Sequence, residues 1–193
     1  MGESHIEHRF GLRCELHRDE VLEYWDQPTP VPITGTDRRG RCYRSSYTAD
    51  FLILTPTQVV AIETKPYARC QELRSRRPSD WQEAEDRFVF EPARRAFALL
   101  GIAHRVVTDK DIGPLEASNF ELLLYARESD PIISERWKSQ LSKVLLKNKV
   151  LSIGETLKRT QSDDVTPILF LIGAGALHAD LKNQSLADVH DTL

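Results

Sequence analysis

The chain has 193 residues, of which 40% are apolar and 28% are charged, and its formal net charge is −3. This balance is ordinary for a folded globular protein and argues against intrinsic disorder. The slightly negative charge also excludes a protein that coats nucleic acid non-specifically, since such a protein carries a clear excess of Lys and Arg.

The first part of the chain predicts one helix followed by several strands. Residues 3–17 are predicted to form a helix whose buried side carries Ile6 and Phe10, with Glu7 bordering it. Thr55-Pro-Thr-Gln58 has the composition of a turn and lies between two apolar runs, so a hairpin is expected there. The predicted strands are residues 31–34, 42–47, 51–54 and 59–65.

A helix and a returning strand are expected to complete this sheet. Residues 80–100 are predicted to form the helix, capped by Ser79 or Asp80 and ended by Gly101. Residues 103–108 are predicted to form the strand. The fold class is therefore α/β, with a mixed sheet flanked by helices.

Residues 109–118 contain Gly113, Pro114 and several charges, and they predict a boundary between domains 1–112 and 113–193. The C-terminal domain is expected to be mainly helical and winged-helix-like. Its predicted helices are residues 119–127, 134–147, 152–160 and 166–172, and its one predicted strand is residues 177–181.

Three observations predict a cytoplasmic protein without a membrane partner. No signal peptide precedes the first helix, and the longest apolar run, residues 167–177, is too short to cross a bilayer. Cys14, Cys42 and Cys70 are odd in number and lack the spacing of a metal or redox motif, which favours reduced thiols.

The predicted hairpin brings two carboxylates face to face. A loop of residues 55–58 pairs Leu54 with Val59, Leu52 with Ala61 and Asp50 with Glu63. Opposed side chains share one face of the sheet, with Cβ atoms about 5 Å apart. Like charges at this separation are destabilising, so their presence indicates a bound cation or a raised carboxyl pKa.

Lys65 is predicted to lie on the same face as Glu63, because side chains alternate along a strand. Two oxygen ligands suit Mg²⁺ or Mn²⁺, which can activate water and polarise a phosphoryl oxygen in phosphodiester hydrolysis. A nearby ammonium can orient the attacking water, stabilise the transition state or act as a base. These residues predict a nuclease site. The alternative is an ordinary surface hairpin, because Glu-x-Lys alone is a common tripeptide.

The spacing Asp50-x12-Glu63-x-Lys65 resembles the core of the PD-(D/E)xK nucleases. Neighbouring segments resemble the TnsA-type endonuclease subunit of heteromeric cut-and-paste transposons. These segments are Glu3-Ser-His-Ile-Glu7, Trp25-Asp-Gln-Pro28, Tyr47-Thr-Ala-Asp50, residues 106–112, Asn119 and residues 168–181. Ala49 departs from the resemblance, since the family usually has Pro before the aspartate.

This resemblance implies a restriction-endonuclease-like fold and cleavage of the 5′ strand at transposon ends. It implies that Glu7, Asp50 and Glu63 are metal ligands, that Thr64 offers its carbonyl to the metal, and that Lys65 is the catalytic lysine. It also implies three partners: double-stranded DNA of the transposon ends, a DDE-type transposase that cuts the 3′ strand, and an AAA+ regulator. Without the family, Glu7 is better explained as a first-turn glutamate favoured by the helix dipole.

Basic residues on both sides of the hairpin are candidates for contacts with DNA phosphates. The candidate DNA-binding residues are Gln27, Arg38, Arg39, Arg41, Arg44, Arg74, Arg76 and Arg77. A charge run is more often only a solvated face, and Gln-Pro is equally typical of entry into a strand, so both interpretations stay open.

Two other classes of function remain. A free-standing restriction- or repair-type nuclease of the same fold would share the site but lack the partners. A non-catalytic DNA- or protein-binding module would keep the fold around an inert pocket. The presence of Glu7, Asp50, Glu63 and Lys65 together argues against the second class, because an inert pocket has no physical reason to keep acids apposed.

Overall fold

A computed structural model describes residues 3–129, 131–148 and 150–188. The chain forms two compact units, Met1–Gly113 and Pro114–Leu193, whose border lies beside the predicted one between residues 112 and 113. Within the described ranges, every helix is too short or too polar to traverse a lipid bilayer.

The first unit combines helices and strands. Its helices are α1 (Glu3–Leu16), α2 (Tyr67–Arg76) and α3 (Glu91–Ala98). Its strands are β1 (Glu23–Asp26), β2 (Val31–Thr36), β3 (Cys42–Tyr47), β4 (Phe51–Leu54), β5 (Val59–Thr64), β6 (Trp81–Ala84), β7 (Arg87–Phe90) and β8 (Ala103–Val107).

The central sheet has the strand order β1-β4-β5-β8. Strands β1, β4 and β5 pair antiparallel, whereas β8 pairs parallel to β5. The hairpins β2–β3 and β6–β7 form two further two-stranded sheets. The predicted α/β class with a mixed sheet is therefore confirmed.

The β4–β5 hairpin has the predicted register, with Leu54 opposite Val59 and Leu52 opposite Ala61. Its turn is closed by Thr55, whose backbone N–H donates to the carbonyl of Gln58 at 2.9 Å. Strand β5 is buried from Val60 to Thr64, as expected for a strand that is paired on both sides.

Aromatic side chains fill the core of this unit. Phe10 of α1 packs on Phe51 of β4 with ring centroids 5.1 Å apart, and α1 also contacts β5. Trp81 stacks on Phe90 at 4.8 Å, and Phe97 of α3 is buried beside them. The Phe10–Phe51 contact holds α1 on the central sheet, and β7 of the second hairpin contacts β8 of that sheet.

The single helix predicted at residues 80–100 is wrong. Asp80 does not cap a helix: its buried carboxylate accepts hydrogen bonds from Thr36 N at 2.9 Å and from the Tyr43 hydroxyl at 2.8 Å. Residues 81–90 form a hairpin whose turn residues, Glu85 and Asp86, both have positive φ. Helix α3 begins only at Glu91. Helix α2 and strand β1 were not predicted.

The second unit contains α4 (Pro114–Glu128), α5 (Glu135–Lys147), α6 (Ile153–Thr160) and α7 (Thr166–Gly173). Helix α4 packs against α7, and α5 packs against α6. Ser134 and Ser152 cap α5 and α6, because each hydroxyl accepts a hydrogen bond from a backbone N–H in the first turn. Helix α4 starts before the predicted residue 119, with Pro114 in its first position.

The strand predicted at residues 177–181 is wrong, and the described residues of the second unit contain no strand. The buried Asn119 of α4 holds this segment by hydrogen bonds instead. The Asn119 Nδ2 donates to the carbonyls of Leu181 at 2.9 Å and Gln184 at 2.7 Å, and its Oδ1 accepts from Leu186 N at 2.8 Å. The β element of a winged helix is thus absent from residues 114–129, 131–148 and 150–188.

Candidate active site

The candidate site lies at the open end of the β4–β5 hairpin, away from its turn. The paired positions of the hairpin end at Phe51 and Ile62, and Asp50 and Glu63 are the next residue on each side. The backbone N–H of Asp50 donates to the Ile62 carbonyl at 2.9 Å, so the two segments are still bonded at this end, although the regular ladder does not continue to Asp50 and Glu63. The hairpin therefore brings the two predicted acidic residues together.

The Asp50 side chain is held by the residue that follows Glu63. Its Oδ2 accepts two hydrogen bonds from Thr64, one from the backbone N at 2.6 Å and one from Oγ1 at 2.8 Å. Thr64 is buried, so these bonds satisfy donors that water cannot reach. The Asp50 carboxylate is thereby fixed in orientation. The predicted role of Thr64, through its carbonyl, stays a prediction.

The Glu63 carboxylate is buried, and each of its oxygens has a donor. The Lys65 Nζ lies 2.9 Å from Oε1, and the Tyr47 hydroxyl donates to Oε2 at 2.6 Å. Burial raises the pKa of Glu63 above its usual value, although Lys65 and Tyr47 act in the opposite direction. The charge of Asp50 adds to the rise, so the two carboxylates lie within electrostatic reach of each other.

Sequence reasoning did not assign a role to Tyr47 or His104. The Tyr47 oxygen lies 3.0 Å from His104 Nε2, so a hydrogen-bonded chain runs from β8 through β3 to Glu63. Burial raises the pKa of Tyr47, and it lowers the pKa of His104 to about 4. The missing signal was the parallel register of β5 and β8, which sets His104 opposite Ala61 and cannot be read from either strand alone.

Glu7 lies half-buried on α1, the helix that packs against β5. Among the described residues, no group of three or more His, Cys, Asp or Glu side chains is arranged to hold a metal ion. The structure therefore brings Asp50 and Glu63 together but does not add Glu7 to a three-ligand cluster with them.

The donor set of the site fits a hard divalent cation. Asp50 and Glu63 offer carboxylate oxygens on rigid, paired backbone, and oxygen is the ligand that Mg²⁺ and Mn²⁺ prefer. Lys65 now neutralises part of the charge of Glu63 from within the site. The two acids could hold such a cation with the Lys65 ammonium beside it.

The candidate DNA-binding residues have different environments. Arg38, Arg39 and Arg41 are exposed at the tip of the β2–β3 hairpin, where the Asp37 carboxylate accepts from the backbone N–H of Arg39 and Arg41 at 2.8 and 2.9 Å. Arg44 is exposed on β3. These side chains are positioned to reach a ligand in solvent.

The remaining candidates are more engaged with the protein. Arg74 forms an ion pair with Glu83, and Arg76 lies 2.6 Å from Glu72. Arg77 interacts with the hydroxyl of Tyr43. Burial raises the pKa of this hydroxyl, and Arg77 lowers it by a smaller amount. Gln27 is exposed, and its backbone N–H donates to the Asp50 carbonyl at 2.8 Å. Exposed ion pairs contribute less than about 1 kcal/mol, so a phosphate can displace them.

His104 predicts a loss of stability in acid. Its pKa is 6.5 in the unfolded chain and about 4 when folded, so between these values only the unfolded chain takes up the proton. The free energy of unfolding should therefore fall by about 3 kcal/mol as the pH decreases from 7 to below 4, at about 1.4 kcal/mol per pKa unit. Urea unfolding of wild type and His104→Gln at several pH values measures this loss. The exposed His178→Gln is the control, and an equal pH dependence in wild type and His104→Gln would refute the assignment.

The chain matches no protein-family model, and a search of curated proteins finds no relative. The resemblance to the TnsA-type subunit therefore depends on the residues named above.

Proposed function

We propose that this chain is a cytoplasmic, metal-dependent DNA endonuclease that serves as a transposase subunit and hydrolyses the 5′ strand at transposon ends. One observation carries the proposal: the open end of the β4–β5 hairpin brings Asp50 within electrostatic reach of Glu63, and the Lys65 ammonium lies 2.9 Å from Glu63. Two apposed carboxylates with a lysine suit phosphodiester hydrolysis, because this reaction builds negative charge that cations stabilise.

Asp50 and Glu63 would hold a Mg²⁺ or Mn²⁺ ion, which when bound supplies charge neutralisation at the phosphate and a lowered pKa of water. Two hydrogen bonds from Thr64 to one oxygen fix the orientation of the Asp50 carboxylate. Lys65 is held by Glu63, so its ammonium is fixed where it can orient the attacking water and stabilise the transition-state charge.

The restriction-endonuclease-like fold is part of this proposal. A mixed sheet in which the acidic hairpin β4–β5 is followed by a helix and by the parallel strand β8 supports it. The carboxyl ends of β5 and β8 lie at one edge of the sheet, and Lys65 N donates to the Val107 carbonyl there at 2.9 Å. Such an edge is where open α/β sheets commonly bind their ligands.

The second unit is proposed to contact a DDE-type transposase and an AAA+ regulator. Its described surface exposes the large apolar side chains Tyr125, Ile132, Leu146 and Val150, which is compatible with a protein partner. Ile168 and Leu169 are buried, so they belong to the core of the unit and not to a contact surface.

Strand-specific cleavage with and without the transposase tests the function. The substrate is duplex DNA that carries a transposon end, incubated with the full chain, Mg²⁺ and a DDE-type transposase encoded by the same element. We expect nicking of the 5′ strand only when the transposase is present, and no nicking after chelation of the metal. Vigorous, sequence-specific cutting of bare DNA by the chain alone would favour a free-standing nuclease. Binding without cleavage in Mg²⁺ and in Mn²⁺ would favour a non-catalytic module.

Residues 1–113 are expected to fold alone and to lose the transposase complex. The sheet and the candidate site are complete within this unit, whose last strand ends at Val107. Circular dichroism and thermal unfolding measure the fold, and co-purification with the transposase measures the complex. A fragment that binds the transposase as tightly as the full chain would contradict the proposed role of the second unit.

Arg38, Arg39 and Arg41 are expected to bind DNA phosphates and not to act in the chemistry. Replacing all three by Ala should weaken DNA binding and lower the slope of log K against log salt by about one unit for each lost contact. Arg94→Ala is the control, because Arg94 is also exposed but pairs with Glu91 on α3. Fluorescence anisotropy across a range of salt concentrations gives the slope. An unchanged slope would show that these residues do not contact DNA.

A further inference from the structure

With Glu63 ionised, the hydrogen-bonded chain behind it has one possible direction. The Tyr47 hydroxyl carries a single proton and donates it to the Glu63 Oε2 at 2.6 Å, since an ionised carboxylate only accepts. The Tyr47 oxygen must then accept from His104, whose Nε2 lies 3.0 Å away. This direction assigns to His104 the neutral tautomer that carries its proton on Nε2.

Aromatic packing fixes both members of this chain. The Tyr47 ring lies against Phe90 at 5.6 Å and against Phe97 at 6.2 Å. The His104 ring stacks on Phe97 at 5.8 Å with an interplanar angle of 9°. Both side chains are half-buried, and a buried hydroxyl that loses its partner costs about 1–3 kcal/mol, so the Tyr47 hydroxyl and the His104 ring nitrogen stabilise each other.

Three strands supply this arrangement: Tyr47 ends β3, Glu63 lies in β5 and His104 lies in β8. One oxygen of the Glu63 carboxylate pairs with the Lys65 ammonium, and the other accepts a hydrogen bond from Tyr47. The carboxylate therefore cannot rotate without losing one of these contacts. Metal-ligating side chains are commonly oriented in this way by partners behind them, and such partners affect metal affinity and activity.

We propose that Tyr47 and His104 are positioning residues of the site, which orient Glu63 from behind so that its carboxylate is held ready for the cation and for Lys65. This inference rests on the proposed nuclease function. The simpler alternative is an ordinary core tyrosine that is satisfied by any nearby acceptor. If Tyr47 positions Glu63, loss of its hydroxyl should change metal binding and the rate of cleavage. If Tyr47 is an ordinary core residue, the loss should lower only the stability of the fold.

The chain offers a matched control. Tyr43 also donates its hydroxyl to a carboxylate, Asp80 Oδ2 at 2.8 Å, and Asp80 is buried in the same unit. Tyr43→Phe and Tyr47→Phe thus remove the same group from the same kind of bond, but only Tyr47 contacts the candidate site. Any difference between them reports on the site and not on the general cost of losing a buried hydrogen bond.

The first measurement is Mn²⁺ binding by calorimetry on the full chain without DNA, together with kcat and KM for cleavage in the transposase complex. We expect Tyr47→Phe to lower Mn²⁺ affinity or kcat by about 10- to 100-fold with little change in KM. Tyr43→Phe should match wild type in both, with similar loss of thermal stability. Equal Mn²⁺ affinity and kcat in wild type and Tyr47→Phe would overturn the positioning role.

The second measurement is the tautomer of His104 by ¹⁵N NMR on the metal-free protein. Wild type should show the proton on Nε2, and a proton on Nδ1 would overturn the proposed chain. His104→Leu should lower kcat by about tenfold, and His104→Gln, which keeps an N–H donor, should recover most of it. Equal losses in the Leu and Gln variants would also overturn it. Wild type that neither binds Mn²⁺ nor cleaves DNA would instead refute the proposed function itself.

Discussion

Asp50→Asn is expected to abolish metal-dependent cleavage while leaving the chain folded. The amide keeps a carbonyl oxygen that can accept the two hydrogen bonds from Thr64, so the local structure is retained. It loses a negative charge that a divalent cation needs from its carboxylate ligands. Binding of DNA should change little, because the carboxylate does not attract phosphate.

Asp50→Ala provides the contrast to Asp50→Asn. Alanine removes the acceptor altogether and leaves the buried Thr64 N–H without a partner, which should cost about 1–3 kcal/mol of stability. Strand-specific nicking, urea unfolding and DNA binding measured on both variants separate the two effects. Nicking by Asp50→Asn at the wild-type rate would reject Asp50 as a metal ligand.

Lys65→Ala is expected to slow cleavage by at least about a hundredfold with little change in DNA affinity. The Lys65 ammonium is largely buried and lies 2.9 Å from Glu63, so it acts within the site and not as an exposed phosphate contact. Its removal also takes away the main influence that lowers the pKa of Glu63, so that pKa should rise further. At neutral pH this variant should lose stability, since a buried carboxylate without its countercharge costs about 3 kcal/mol or more.

Single-turnover kinetics and fluorescence anisotropy separate the rate from the affinity. Lys138→Ala is the control, because Lys138 forms an exposed ion pair with Glu135 in the second unit. A wild-type rate in Lys65→Ala would assign Lys65 to structure alone. A loss of affinity that matches the loss of rate would assign it to DNA binding.

The hairpin could be predicted from the sequence because its signals are local. Two apolar runs and a turn of residues 55–58 determine the register as far as Phe51 and Ile62, and Asp50 and Glu63 follow directly after this pair. The alternation along one strand then places Lys65 beside Glu63, as its 2.9 Å contact shows. The spatial relation of these three residues therefore required no long-range information.

Other elements depend on contacts that are distant in sequence. Asp80 resembles a helix cap in the sequence, but its carboxylate accepts hydrogen bonds from Thr36 and Tyr43. Residues 81–90 then pair as a hairpin instead of forming a helix. Residues 177–181 look like a strand, but Asn119 holds the chain there without a pairing partner. Propensity alone cannot predict either result, because tertiary hydrogen bonds decide both.

The chain from His104 to Glu63 shows the same limit within the site. Tyr47 lies close to Asp50 in sequence and is part of the motif, yet its hydroxyl meets His104 only when β8 joins the sheet in parallel register. The sequence around His104 is that of an ordinary strand, so it does not indicate that His104 contacts Tyr47. The acidic pair could be derived from the sequence, whereas the residues behind it required the assembled sheet.

Anomalous diffraction from a crystal of the protein soaked in Mn²⁺ tests the central claim most directly. The account predicts an anomalous peak coordinated by the carboxylates of Asp50 and Glu63, and predicts that this peak disappears in Asp50→Asn. A crystal that binds Mn²⁺ at other residues and shows no peak at Asp50 and Glu63 would contradict it.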